Sequence, residues 1–458
     1  MRRWVPTLVL LVLLAPATAY PQSKNSKSGV YEQLNLFGEA FERIRQDAVE
    51  PVTDHKLIET AIAGMLSSLD PHSVYLSESE YKALQAPPEG GTASTGLVVT
   101  LAGGQLKVVS PRDGSPAALA GIKPGEIIFS IDKEPVYDLT LSDDEQKLRG
   151  PVDSEVTLTL RSADGKPNDV TVKRASLKLT TVASHLDGDD VGYIRLAGFD
   201  DGTRAALTAA VQTLEQQAGK KLIGFVVDLR NNPGGDFDVA VAAADDFIDK
   251  GDIAVVKSRK DDSAKRIAAT PGDLTNGLPL VALVNGGTAR EAELVAGALQ
   301  DNHRAILVGT KTFGESSIES LIPLNGNGAI RLTTARFETP AGHTIQGKGL
   351  DPDLNVVPMK LERLAQGMNR HEADLRGALK NTDPVTGLAT PPPFKPAPPG
   401  SPNPGPGASS ATPPATPVKQ EASPGVASGD LGSPEDEQLT QALDVLRGLA
   451  LVTARNGQ

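Results

Sequence analysis

The chain has 458 residues, of which 45 are Lys or Arg and 57 are Asp or Glu, so its formal net charge is -12. This acidic balance argues against a nucleic-acid partner, because contacts to phosphates require a basic face. The sequence contains no cysteine, which excludes disulfides, thiolate metal sites and a cysteine nucleophile. At roughly 100 to 200 residues per domain, the length predicts two or three domains.

Residues 1–19 have the pattern of a secretory signal peptide. Arg2 and Arg3 precede an apolar run over residues 8–15, and the small tripeptide Ala17-Thr18-Ala19 follows it. A membrane anchor would need about 20 apolar residues, which this run does not reach. We therefore expect cleavage after Ala19. An exported chain without cysteine suits the bacterial periplasm. It is not expected to be a lipoprotein, because it has no cysteine that could be lipidated.

An N-terminal helical segment is predicted for residues 30–90. Apolar residues recur there at helical spacing. The two stripes are Leu34, Phe37, Phe41 and Ile44, and then Leu57, Ile58, Ala61, Met65 and Leu66.

The pattern then changes twice. Residues 95–178 contain short β runs separated by Gly, Pro and Asp turns. These runs are 96–99, 106–109, 126–131 and 156–160. In residues 179–358 strands alternate with helices, as in strand 224–229 before helix 237–250 and strand 280–285 before helix 291–300. This alternation predicts an α/β core whose sheet is at least partly parallel.

A linker and a short helix are predicted near the C-terminus. Residues 391–434 are rich in Pro, Gly, Ala, Ser and Thr, a composition that indicates a disordered, extended linker without a core. An amphipathic helix is predicted for residues 434–453, with Ser433 as its cap and Pro434 at its first position. Its apolar stripe has to dock either on the same chain or on a second copy.

Two glycine-rich turns follow strands of the predicted core. The first covers residues 231–235 and the second covers residues 285–288. Ligand sites of α/β proteins lie at such strand ends, and exposed backbone N–H groups there can bind an anion or an oxyanion. Gly234, Gly235 and Gly287 are the candidate oxyanion donors. The alternative is that both are ordinary strand-to-helix turns, and neither matches a phosphate loop.

Several short motifs follow one another between residues 30 and 358. They are Asp70-Pro71-His72-Ser73, Ser115-Pro116-Ala117, Ala120-Gly121-Ile122-Lys123-Pro124-Gly125, Asp228-Leu229-Arg230-Asn231-Asn232-Pro233-Gly234-Gly235, Ala296-Gly297-Ala298-Leu299-Gln300-Asp301 and Gln346-Gly347-Lys348-Gly349-Leu350-Asp351-Pro352-Asp353. In these motifs the chain resembles the carboxyl-terminal processing proteases, serine peptidases of bacteria and chloroplasts. The resemblance implies an N-terminal helical segment, an inserted PDZ domain and an α/β peptidase core. We expect no cofactor, and the histidines show no metal-binding spacing.

The chain departs from the family pattern at the catalytic positions. In the family, the helix after the second glycine-rich turn begins with a Ser-Ala-Ser-Ala-Ser-Glu stretch, whose central serine is the nucleophile. Residues 288–293 of this chain read Thr-Ala-Arg-Glu-Ala-Glu, which places Arg290 at the nucleophile position. Glu315 replaces the lysine that serves as the general base, and Glu319 replaces the glutamine four residues later.

These replacements predict a site without serine-lysine chemistry. Such a site needs a neutral lysine that removes a proton from the attacking hydroxyl. An arginine has no nucleophilic oxygen and stays protonated, so it serves neither role. We therefore expect Arg290 to form a charge-assisted, non-catalytic ion pair with Glu315, with Glu319 as a second acceptor. The alternative is an atypical active site with a relocated nucleophile at Thr288, Ser316 or Ser317.

The PDZ-like block is expected to retain peptide binding. PDZ domains bind a C-terminal carboxylate on the N–H groups of a loop and add the peptide as a β-strand. Gly96, Leu97, Val98 and Val99 stand where the resemblance places that loop. The family usually has a second glycine at position 98, and valine restricts the backbone there.

Our leading functional hypothesis is a periplasmic pseudoprotease. It would bind polypeptide C-termini or an active paralogue and thereby regulate proteolysis. One alternative is an active serine-type endopeptidase with an atypical site. The other is a scaffold that forms homo-oligomers through its terminal helices.

Overall fold

The computed structural model describes residues 26–85, 93–102, 105–136, 141–161, 166–177, 180–259, 261–358, 431–432 and 436–456. The expected signal peptide and nearly all of the predicted linker lie outside these residues. The chain divides into two compact units. The first consists of Met1–Gln85 with Leu321–Leu332, and the second of Ala86–Ser320 with Thr333–Gln458.

The first unit is mainly helical and contains one short strand that the sequence analysis did not predict. Its elements are α1 (Ser26–Asp47), α2 (Asp54–Ser67), β1 (Val74–Leu76) and α3 (Glu78–Gln85). The side chain of Thr53 caps α2 by accepting the N–H of Lys56 at 3.3 Å. β1 pairs antiparallel with residues 329–331 of the same unit. The predicted apolar stripe of α1, including Leu34 and Phe37, is solvent-exposed.

The PDZ block of the second unit is built around an antiparallel sheet. Its elements are β2 (Ala93–Ser94), β3 (Leu97–Ala102), β4 (Gln105–Pro111), α4 (Pro116–Leu119), β5 (Ile127–Ile131), β6 (Glu134–Pro135), α5 (Leu141–Leu148), β7 (Arg149–Gly150), β8 (Glu155–Arg161) and β9 (Pro167–Lys173). The main strand order is β3-β4-β5-β8-β9. Alternating apolar residues such as Leu106, Ile128 and Leu158 point into one buried core. All four predicted β runs overlap strands of this sheet.

The α/β core follows in the same unit, except for residues 321–332, which belong to the first unit. Its elements are β10 (Val182–Asp187), β11 (Val191–Leu196), α6 (Thr203–Ala218), β12 (Gly224–Asp228), α7 (Phe237–Asp245), β13 (Asp252–Ser258), β14 (Asp261–Ala268), β15 (Leu280–Val284), α8 (Glu291–Asp301), β16 (Ala305–Gly309), β17 (Ser317–Pro323), β18 (Ala329–Glu338), β19 (Leu354–Asn355) and α9 (Glu437–Asn456). The sheet order is β10-β11-β12-β15-β16-β19, and every pair except β10 with β11 is parallel. The predicted parallel α/β core is therefore confirmed. β13 pairs with β14 and β18 outside this sheet.

The two faces of the parallel sheet are covered by different helices. Residues of α6, α7 and α8 pack on one face. Leu439, Ala442, Leu443 and Leu446 of α9 pack on the other face, in one cluster with strand residues such as Val226. The C-terminal helix thus docks on its own chain in the structure.

Two predicted helix boundaries are corrected by the structure. α9 begins at Glu437, three residues later than predicted, because the side chain of Asp436 caps it by accepting the N–H of Leu439 at 3.1 Å. The predicted cap, Ser433, lies outside the described residues. α7 ends at Asp245 rather than at residue 250, since hydrogen-bonded turns such as Ile248 N–H to Asp245 O follow it.

Within the part of the chain that the structure describes, no helix is long and apolar enough to cross a bilayer. The same residues contain no cluster of three or more His, Asp or Glu side chains that could hold a metal ion.

Candidate functional site

The site lies where the two glycine-rich turns meet. β12 and β15 are adjacent and parallel, so their carboxyl ends lie side by side. A reciprocal pair of hydrogen bonds joins the turns. The Asn231 N–H donates to Asn285 Oδ1 at 2.9 Å, and Asn285 Nδ2 donates to Asn231 Oδ1 at 2.8 Å. From the PDZ block, the buried Ser110 hydroxyl donates to the Asn231 carbonyl at 2.7 Å.

Arg290 occupies a strained backbone position between β15 and α8. Its φ is 53° and its ψ is -122°, a region that costs a residue with a side chain about 1–3 kcal/mol. The Arg290 N–H is held by Glu293 Oε2 at 3.2 Å. In α/β-hydrolases a strained strand-to-helix turn exposes the nucleophile. Position 290 thus combines a strained strand-to-helix turn with a guanidinium side chain.

Three carboxylates surround that guanidinium. Arg290 Nη2 lies 2.8 Å from Glu319 Oε2, and Arg290 Nε lies 3.4 Å from Glu315 Oε1. Glu291 Oε2 is 3.9 Å from the same Nε. The side chains of Glu315 and Glu319 are 6% and 12% exposed, whereas that of Arg290 is 32% exposed. The two residues that were predicted to pair with Arg290 are thus both within ion-pair distance of it.

The charges of this cluster shift the pKa of Arg290. Burial acts to lower the pKa of Arg290, but the nearby carboxylates of Glu291, Glu315 and Glu319 outweigh burial and raise it above its usual value. A guanidinium with a raised pKa stays protonated throughout the stability range of a protein. It can therefore act as a fixed cation but not as a base.

The three candidate replacement hydroxyls have other partners. Thr288 is buried, and its hydroxyl donates to the Leu229 carbonyl at 2.9 Å. The Ser317 hydroxyl donates to Glu319 Oε1 at 2.7 Å, which adds it to the ion-pair cluster. The Ser316 hydroxyl lies 3.4 Å from Gln346 Oε1. None of these contacts is with a lysine or a histidine.

The candidate oxyanion donors differ in where their N–H groups point. Gly234 N–H donates to Asn232 Oδ1 at 2.9 Å, and Gly287 N–H donates to Asn285 Oδ1 at 3.0 Å, so both are used within the turns. Gly235 N–H instead donates to Glu291 Oε2 at 3.0 Å. The sequence analysis did not select Glu291. The sequence did carry a signal that could have identified it. Position 291, directly after the position that the resemblance assigns to the nucleophile, is glutamate where the family stretch has alanine.

Glu293 anchors the segment that carries Glu315. Its carboxylate accepts the Gly314 N–H at 2.8 Å and the Glu315 N–H at 2.9 Å, and it also accepts the Thr312 hydroxyl. Burial raises the pKa of Glu293 to about 7, and these hydrogen bonds oppose that rise. Glu293 therefore holds residues 312–315 against the start of α8.

The predicted peptide-binding stretch, Gly96–Val99, forms the start of an edge strand. β3 is the terminal strand of its sheet, with β4 as its neighbour and no second neighbour among the described strands. Gly96 has a φ of 81°, and a Cβ there would collide with the side chain of Ser115. The register of β3 against β4 shifts between Val98 and Val99. An edge of this kind can accept an added peptide strand.

Comparison with known proteins agrees with this architecture. A model of peptidase family S41 matches residues 190–356, a PDZ domain model matches residues 107–162, and a model of the activating protease CtpB N-terminal domain matches residues 14–80. A carboxy-terminal-processing protease of Bartonella bacilliformis is 42% identical over 360 residues, which cover 78% of this chain and 82% of the relative. The chain belongs to the carboxyl-terminal processing protease family.

Other members of the carboxyl-terminal processing protease family support the same assignment. A protein of this name from Synechocystis is 35% identical over 72% of this chain and 78% of its own length. The solved structure of a photosystem II D1 C-terminal processing protease superposes with a TM-score of 0.61 at 30% identity, covering 71% of this chain and 93% of that one. The family fold is thus present from the N-terminal helices through the α/β core.

Proposed function

We propose that this protein is a catalytically inactive member of the carboxyl-terminal processing protease family. It binds polypeptide C-termini or an active paralogue and thereby regulates proteolysis in the periplasm. The observation that carries this proposal is the ion-paired Arg290 at the strained position between β15 and α8. A nucleophile is required there for serine-type hydrolysis, and arginine cannot supply one.

The replacement of the base supports the same function. Glu315 is buried and contributes a negative charge beside Arg290. Removing either partner of a charge pair that is largely shielded from water leaves the other one uncompensated, which is destabilising. The opposite charges at positions 290 and 315 therefore stabilise each other.

Peptide binding is supported by the PDZ block. β3 has no second neighbour among the described strands, so its outer edge can offer backbone groups to an extended peptide. Ser110 links this block to the cleft through Asn231. A peptide bound at the edge would therefore lie on a domain that contacts the altered site.

The proposal is tested by a serine-reactive fluorophosphonate probe together with a cleavage assay on unstructured peptides that have apolar C-termini. We expect neither labelling nor cleavage by the purified protein, with chymotrypsin as the positive control for the probe. We also expect the same peptides to bind in a direct titration. Labelling or cleavage that is lost on Arg290→Ala or Glu315→Ala would refute inactivity, and absence of peptide binding would refute the receptor role.

A further inference from the structure

We propose that the carboxylate of Glu291 occupies the oxyanion-binding position of the cleft and acts as a built-in anion that excludes a substrate carbonyl. This inference rests on the proposed function and names a second obstacle to catalysis, separate from the loss of the nucleophile and base. Glu291 is therefore an autoinhibitory residue of the cleft.

The backbone around Glu291 has the form of an oxyanion hole. Such a hole uses two N–H donors, one of which belongs to the residue after the nucleophile. Here that residue is Glu291, which follows Arg290. Its carboxylate accepts the Gly235 N–H at 3.0 Å. Glu291 Oε2 and the Glu291 backbone nitrogen both lie beside the position that a Cβ at Gly234 would occupy. One candidate donor is thus bonded to the carboxylate and the other lies close to it.

The fit of this carboxylate is close. Glu291 is 3% exposed. A Cβ at Gly234 would collide with Glu291 Oε2 and would lie 3.2 Å from the Glu291 nitrogen. Only glycine at position 234 therefore leaves room for Glu291 Oε2 beside these backbone groups.

Displacing the carboxylate would be unfavourable. A substrate carbonyl would have to take both N–H donors and leave a buried carboxylate without them, which burial disfavours. Arg290 also lies beside it, with 3.9 Å between Nε and Oε2. Restoration of a serine and a lysine alone should therefore leave the cleft inactive.

Two variants test this inference. The triple variant Arg290→Ser, Glu315→Lys, Glu319→Gln restores the family residues at the predicted catalytic positions, and the quadruple variant adds Glu291→Ala. Loss of one oxyanion donor lowers kcat by roughly 100- to 1000-fold. We therefore expect fluorophosphonate labelling and peptide cleavage by the quadruple variant to be at least about 100-fold faster than by the triple variant. Equal rates, at any level including none, would overturn the inference.

The same comparison separates the two proposals. Activity of the unmodified protein would refute the proposed function, whereas the ratio between triple and quadruple variants would still decide the role of Glu291. Circular dichroism and thermal unfolding of both variants establish that the rates compare folded proteins.

A second measurement is independent of catalysis and of the multiple variants. The amide proton of Gly235, observed by NMR in glycine-labelled protein, should move upfield in Glu291→Ala, because its carboxylate acceptor is lost. Added acetate should reverse this shift in Glu291→Ala and have no effect in the unmodified protein. Glu319→Ala is the matched control, since it removes an equal charge from the Arg290 cluster but leaves Glu291 in place. An unchanged Gly235 resonance in Glu291→Ala would contradict the proposal.

Discussion

Asp436→Asn tests how the C-terminal helix is held on the sheet. Arg230, at the end of β12, is fully buried, and its guanidinium donates to Asp436 Oδ1 at 2.8 Å and to Oδ2 at 2.6 Å. Asp228 is its second carboxylate partner, with Arg230 Nε 3.0 Å from Oδ1. Asparagine retains the shape of the side chain and an oxygen that can cap α9, but it removes the charge and replaces one acceptor of the Arg230 guanidinium by an NH2 donor.

The size of the effect follows from this geometry. Loss of one partner of a buried ion pair costs about 3–5 kcal/mol. Because Asp228 still compensates the charge and Gln438 Oε1 still accepts from Arg230 at 3.1 Å, we expect a loss of about 2–4 kcal/mol for the docking of α9. The perturbation should be local, since Asp436 contacts the start of α9 and the end of one strand.

Hydrogen exchange of the α9 amides measures this loss directly, as a fall in protection by that amount. Urea unfolding followed by circular dichroism gives the companion global value, and a change in its slope would indicate that α9 detaches first. The matched control is Asp444→Asn, an exposed acid on the same helix, for which a change within about 0.5 kcal/mol is expected. Equal protection in the two variants would refute the assignment of a clamping role to the Arg230–Asp436 pair.

Three further predictions concern the cleft and the PDZ block. Arg290→Ala should destabilise the protein by roughly 1–3 kcal/mol at pH 7.5. The loss should be smaller at lower pH, because burial raises the pKa of Glu291 and its protonation removes one of the negative charges that Arg290 compensates; Arg266→Ala, in an exposed pair with Asp252, should cost less than about 1 kcal/mol in the same urea titration. Burial raises the pKa of Asp144 from 3.8 to about 7, so the folded protein keeps this carboxyl protonated at pH values where the unfolded chain has ionised it. The unmodified protein should therefore lose stability as the pH rises from about 4 to 7, whereas Asp144→Asn should not lose it for this reason. Thermal unfolding over that window should show the variant gaining stability relative to the unmodified protein; a constant difference between the two would contradict this. Amidation of a peptide's C-terminus should weaken binding by about tenfold in calorimetry, and Val98→Gly should strengthen it; equal affinity of free and amidated peptides would exclude carboxylate recognition.

The domain order and the parallel sheet were predictable from the sequence. The hydrophobic period changes from helical to alternating near residue 95, and strands then alternate with helices. These features depend on residues that are close together in the chain. The approach of Arg290 to Glu315 and Glu319 was predictable only through the family resemblance, because the two segments come from different elements.

The docking of α9 and the position of Glu291 could not be predicted. An apolar stripe shows that one face of a helix must be buried, but it does not identify the surface that buries it. Here the choice is made by Arg230 and Asp436, which are 206 positions apart. The direction of the Glu291 side chain depends on the positive φ of Arg290 and on the absence of a Cβ at Gly234. Neither of these is a property of local sequence periodicity.

The anchoring of α9 also fixes the point at which the chain re-enters the fold after residue 358. Val356 donates its N–H to the Gly309 carbonyl at 2.8 Å and accepts Gln438 Nε2 at 2.6 Å, so the chain leaves and re-enters the fold at neighbouring points. The described residues at the two ends of this connection are therefore held close together, and doubling the length of a connection between fixed ends costs only about 0.6 kcal/mol. Natural insertions or a single peptide-bond cut within it would leave α9 seated, and a nicked molecule would persist as a two-fragment complex.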